Sequence, residues 1–183
     1  MKRDIFFQLY KKELDTNHQL TQLEVDSLDL LLDVYEEKNS LFTIQQWAYI
    51  FATIFHESAG TMRPVKEAFW MSEEWREKNL RYFPYYGRDF VHTTWAANYA
   101  KFSAVVEIDL VKYPERISEP KIAMKILIYG FQNGTWTGKK ITEFINPKKC
   151  LYIAARKCIN GTDRAELIAT YATKFETIFK QSL

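Results

Sequence analysis

Two glutamates, Glu57 and Glu67, stand in sequence surroundings that separate their chemistry. Glu57 ends a strongly apolar segment and follows His56; Glu67 comes after Gly60 and Pro64, which stop or bend a helix. A carboxyl buried at a helix C-terminus has its neutral form favoured twice, by desolvation and by the negative end of the helix dipole. That is the state a general acid requires near neutral pH. Glu67 lies on a different segment and can face Glu57 across a groove, with Arg63, Lys66 and Arg88 as candidates to keep it ionised. It would then act as a base, orienting a water. Two carboxylates in unlike environments are what acid-catalysed cleavage of a sugar–sugar bond needs. Taken singly, each also fits an ordinary solvent-facing glutamate. The pair gains weight from a second unusual stretch, residues 85–95, which reads YYGRDFVHTTW.

Other chemistries lack their residues. His56-Glu57 would begin a metalloprotease helix, but that motif needs a second histidine where Gly60 stands. His18 and His92 have no ligand spacing, so no metal and no cofactor is expected. There is no G-x-S-x-G elbow, and Gly134 and Gly138 lack the neighbours of a phosphate loop.

Helical periodicity dominates the elements that must position these residues. Residues 5–14 form an amphipathic helix. Thr21 with Glu24, and Thr43 with Gln46, have capping-box spacing before apolar repeats. The second of these helices is apolar nearly all round and should be buried at the centre, with Gly60 as its stop. A short helix is expected over residues 72–80, and a small hairpin or extended loop over residues 82–91. Helices follow over residues 94–106 and 118–131. Asn146-Pro147 should open another that stops near Gly161, and Asp163 starts the last. The fold class is α+β, mainly α-helical, with a small β or irregular insert.

The residues quoted so far resemble the lysozyme-like superfamily, specifically glycoside hydrolase family 19 and its phage endolysin branch. The match lies in HESAGTMRPVKE at residues 56–67 and in Y-Y-G-R-x-F-V-x-x-T-W-x-x-N-Y at residues 85–99. The later FQNGTWTGKK and CINGTD segments, at residues 131–140 and 158–163, look like the same branch. The resemblance covers roughly residues 47–172. It implies a two-lobed, lysozyme-like domain with a groove, and inverting hydrolysis of β-1,4 bonds between N-acetylated sugars. Glu57 matches the general acid, Glu67 the second carboxylate, and Thr94 the hydroxyl residue that helps hold the attacking water. His56, Tyr86, Arg88, His92, Trp95, Asn98, Trp136 and Asn160 match or flank groove positions. The family segment usually reads G-R-G-F-V-Q-L-T-W; here Asp89, His92 and Thr93 replace glycine, glutamine and leucine.

Bulk properties agree with one domain: 183 residues, 47% apolar, 26% charged and 16% aromatic. Residues 1–42 are read as helices packed on a catalytic core of residues 43–183. A net charge of +2 is too weak to argue for nucleic acid, although Lys139, Lys140, Lys148 and Lys149 cluster late in the chain. No apolar run approaches the ~20 residues a membrane span needs, and no signal peptide is visible. Cys150 and Cys158, if on one helix, would be about 12 Å apart and unable to bridge. The expected partner is the glycan strand of peptidoglycan. The protein would be made in a bacterial host cytoplasm and act at the wall or periplasm, with a holin-type helper giving access. The alternatives are a weakened or inactive glycan-binding or inhibitory protein on the same fold, and a chitinase.

Overall fold

Aromatic packing organises the molecule, in a computed structural model that describes residues 1–15 and 19–183. His18 lies outside the described residues. The centre is α3 (Ile44–Glu57), in which every residue from Trp47 to Ile54 is inaccessible to solvent. Its side chains are apolar on all faces because neighbours cover all faces. The C-terminal helix α8 (Ala165–Ser182) lies along it: Phe51 meets Phe175 and Phe179 at 5.7 and 5.0 Å between ring centroids, and Phe55 meets Tyr171 at 4.8 Å. Helix α1 (Arg3–Glu13) adds Phe6 and Tyr10 to the same cluster, and α2 (Gln22–Lys38) adds Tyr35, stacked on Phe179 at 4.8 Å. Burying each such ring contributes about 1.5–3 kcal/mol.

Both capping boxes form, at Thr21–Glu24 and Thr43–Gln46. The short helix is α4 (Glu73–Asn79), capped by Ser72. Next come α5 (Ala96–Val106) and α6 (Pro120–Asn133), separated by a 3-10 turn at Pro114–Ser118. These carry a second, smaller core of Tyr99, Phe102, Val106, Leu110, Ile117, Ile122 and Ile126. Helix α6 serves both cores: Ala123, Met124, Leu127 and Phe131 face the large one, Ile122 and Ile126 the small one. Trp136 packs against both. Its ring fills the space over Gly130, where an added Cβ would lie 2.0 Å from the indole.

Of the hairpin or extended loop expected over residues 82–91 the loop is what forms, and one expectation after it fails. Residues 82–91 form turns and bends, not a hairpin. The β structure instead lies where Asn146-Pro147 was expected to open a helix. Strands β1 (Ile145–Asn146) and β2 (Lys149–Cys150) pair antiparallel. The Asn146 side chain accepts from the Lys148 N–H at 3.0 Å, closing a turn that Pro147 favours. Asn and Pro begin helices and turns for the same local reasons, so the tertiary setting decides between them. Helix α7 (Tyr152–Ala155) is correspondingly short and runs into a 3-10 turn, Arg156–Cys158. Cys150 and Cys158 therefore sit on different elements, and both are free thiols.

Candidate active site

Glu57 is the last residue of α3, and its carboxylate is not alone. Its Oε1 accepts from Arg156 Nη1 at 2.6 Å; the Arg156 side chain is 3% exposed and that of Glu57 16%. Arg156 Nε also donates to the Asp163 carbonyl at 3.0 Å. One buried guanidinium thus ties the end of α3 to the loop preceding α8. Desolvation and the helix end are the surroundings the sequence predicts for Glu57; the buried ion pair with Arg156 is the correction the structure makes. The only trace of Arg156 in the sequence is a single arginine after Ala154-Ala155, and no spacing rule links it to a residue on α3. Asn160 belongs to the same corner: its N–H donates to the Arg156 carbonyl at 2.9 Å. Its side-chain oxygen accepts from the Gly161 N–H, and the residue is exposed. His56 is half-buried, and burial lowers its imidazole below the ordinary range, favouring the uncharged form beside Glu57.

The loop after α3 is pinned at several points. Ser58 is buried and its hydroxyl accepts from the Met62 N–H at 2.9 Å. Ser27 of α2 donates to the Met62 carbonyl at 2.6 Å, and Tyr10 of α1 to the Gly60 carbonyl at 3.4 Å. Ala59, Gly60 and Met62 all take positive φ, so the chain turns sharply. The N-terminal helices therefore hold the segment that joins the two glutamates.

Glu67 receives neutral donors. Tyr82 donates its hydroxyl to Oε1, and the Gly87 N–H donates to Oε2 at 3.2 Å. The Glu67 N–H returns a bond to the Gly87 carbonyl at 2.8 Å. Burial, reinforced by the bond to Glu67, pushes the Tyr82 hydroxyl up to about 12, so it remains a donor. The cations expected around Glu67 are placed otherwise. Arg63 and Lys66 are exposed. Arg88 turns inward, with Nη1 donating to the Pro84 carbonyl at 2.7 Å and its guanidinium 3.4 Å from the Tyr86 ring centroid.

Tyr86 and Arg88 are 0% and 5% exposed, so they support the site from inside and do not present a surface to a ligand. Tyr86 donates to Glu73 at 2.8 Å, and its carbonyl accepts from Tyr99 at 2.6 Å. Trp136 is half-buried and donates its indole N–H to Thr93 Oγ1 at 3.1 Å, a packing role between the lobes. Trp95 is different. It is 44% exposed, its ring lies 5.4 Å from that of Tyr82, and Arg81 stacks on it at 5.0 Å. Thr94 precedes it, and the Asn98 amide donates to the Thr94 carbonyl at 2.8 Å.

Two of the three unusual residues, Asp89 and Thr93, bond to each other in the interior. Asp89 is 1% exposed. Its Oδ1 accepts from the Thr93 N–H at 2.7 Å and its Oδ2 from the Thr93 hydroxyl at 2.6 Å. Asp89 and Thr93 thus act as a matched pair, closing a turn through the Thr93 side chain to Trp136. His92 has φ +53° and a buried, unpartnered Nε2. Its Cβ lies 2.6 Å from where a Cβ on Gly87 would be, so only glycine fits at the residue that holds Glu67.

Two expected results follow. Thr93→Val keeps the residue-93 N–H on Asp89 Oδ1 but leaves Asp89 Oδ2 and the Trp136 N–H without the hydroxyl they share, and should destabilise by about 2 kcal/mol. Urea unfolding measures it; a loss under about 0.5 kcal/mol would show that the pair does not matter. Burial raises the Asp89 pKa, opposed by the Thr93 hydrogen bonds. The native state then binds its proton more readily than the unfolded chain, so this contribution is full below the unfolded pKa. It is lost as pH rises through the folded pKa. Asp89→Asn should therefore gain thermal stability relative to the native sequence as pH rises from about 4 to about 7. A melting-temperature difference that does not change with pH contradicts this.

Among solved structures, chitinase C from Streptomyces griseus HUT6037 matches with a TM-score of 0.59 at 18% identity, over 97% of this chain and 91% of that one. A mutant of chitinase C matches with a TM-score of 0.58 at 17% identity, over the same shares. No family model and no curated protein matches the sequence. At this identity the likeness bears on the fold, and the chain has the fold of these chitinases: mainly helical, with one two-stranded sheet among the described residues.

Proposed function

We propose that this chain is a glycoside hydrolase that cleaves β-1,4 bonds between N-acetylated sugars of peptidoglycan, as a phage-type endolysin. The observation that carries the reading is the unlike settings of the two glutamates. Arg156 holds Oε1 of Glu57 and orients the carboxyl, and in its protonated form Glu57 would give the proton on Oε2 to the leaving oxygen. Glu67 is held by two neutral donors, Tyr82 and the Gly87 N–H, as an acceptor suited to orienting a water. Thr94 would help hold that water, and an inverting reaction needs about 6.5–9.5 Å between the carboxyls to admit it. Asp89 and Thr93 bond to each other in the interior, which favours an active enzyme over a retired one.

Chitin is a second reading, favoured by the fold shared with chitinase C. A wall-degrading role places the protein at the cell wall after synthesis in the host cytoplasm, reached through a holin-type helper. No helix among the described residues is long and apolar enough to cross a membrane. Purified protein mixed with peptidoglycan sacculi, or with chitin oligomers, should release reducing ends and lower turbidity. No release from either polymer between about pH 4 and about pH 9 would sink the hydrolytic reading.

A further inference from the structure

Phe69 and Trp70 follow Glu67 almost directly and are 68% and 70% exposed, with Met71 beside them. Large rings this accessible are unusual on a soluble domain and mark contact surfaces. The two rings meet edge to face, with centroids 5.2 Å apart and planes at 81°, so each ring keeps a face open. Their base is held by hydrogen bonds. Arg76, 4% exposed, donates Nε to the Glu67 carbonyl at 2.9 Å and Nη2 to the Ala68 carbonyl at 2.8 Å. The Met71 N–H closes the turn onto the Ala68 carbonyl at 2.9 Å. On its other side Glu67 bonds to Tyr82, whose ring packs on the exposed Trp95. Glu67 is therefore flanked by two exposed aromatic surfaces, one by chain continuity and one through Tyr82.

Resting on the hydrolytic reading above, we propose that Phe69 and Trp70 form a stacking platform for a glycan chain of N-acetylated β-1,4-linked sugars. The platform extends the site beyond Glu67 and sets affinity for long substrates. Sugar rings have apolar faces that pack on aromatic faces, and the platform rises from the same Arg76-anchored backbone as Glu67. Arg76 acts as a positioning residue, since its guanidinium fixes the backbone from which both Glu67 and the platform project.

The experiment uses the full chain carrying Glu57→Gln, to stop turnover, with a soluble hexamer of β-1,4-linked N-acetylglucosamine as the probe in calorimetry. Adding Phe69→Ala and Trp70→Ala should raise Kd about tenfold or more, with the melting temperature unchanged because both rings are exposed. Phe69→Tyr with Trp70→Tyr should restore most of the affinity. A change in Kd under about twofold overturns the proposal, as does failure of the Glu57→Gln chain to bind the hexamer. So does a fall in self-association, or in vesicle binding, that leaves Kd unmoved, because the rings would then serve a second copy or a lipid surface. The two readings fail separately. Glu57-dependent hydrolysis without a platform effect on Kd removes the platform alone. A platform effect without hydrolysis by the native chain removes the enzymatic reading alone.

Discussion

Glu57→Gln is expected to lower the rate of reducing-end release by about 10³-fold, within the range for loss of a positioned general acid. Glutamine keeps the shape and an oxygen to accept from Arg156, so the fold should survive. It has no acidic proton to give to the leaving oxygen. Binding should hold or change little, so the loss should fall on kcat and not on KM. Glu67→Gln is the natural companion, because it keeps an acceptor for Tyr82 or for Gly87 while weakening the base. If Glu57→Gln retains more than about a tenth of the native rate, Glu57 is not the acid, and the site must be sought elsewhere.

Arg156→Met is expected to cost about 3 kcal/mol of stability together with most of the activity. Removing one partner of a buried pair leaves the other charge poorly compensated, and Glu57 keeps only limited access to water. Two anchors go at once, the bond to Glu57 and the bond to the Asp163 carbonyl. The end of α3 and the loop before α8 would separate, taking Asn160 with them. Urea unfolding and initial rates measure the two effects. The double variant Glu57→Gln/Arg156→Met should be less destabilised than the sum of the single changes, because they share one interaction. Strict additivity would mean that the 2.6 Å contact carries no coupling.

Much of the scaffold was legible. Capping boxes, apolar periodicity and glycine stops are local signals, and α1 to α3, α4, α5, α6 and α8 all lie where those signals put them. The continuous apolar character of α3 correctly implied burial on every side. The misreading and the open choice both fall where a local signal has two outcomes. Asn146-Pro147 starts a helix or a turn equally well, and pairing of Ile145 with Cys150 settles it as a turn. Residues 82–91 have strand-like composition, but their backbone is committed to holding Glu67, Arg88 and Trp95, and no partner strand pairs with them among the described residues.

By itself the sequence determined the helical frame, the central apolar helix, and the identity of the two glutamates on different segments. It also carried the motif resemblance that pointed to the fold shared with chitinase C. Only the tertiary structure decided what surrounds each carboxylate. Arg156 lies 99 residues from Glu57 along the chain, and no periodicity reaches that far. Tyr82 and Gly87 replace the expected cations because the turn after α3 brings Glu67 back against them. Asp89 and Thr93, which stand in the sequence where the resembled family has glycine and leucine, bond each other inside. Which side chains form a helix is a local matter. Which charges meet, and which are hidden, depends on distant segments packing together, and that is where the chemistry of this site is set.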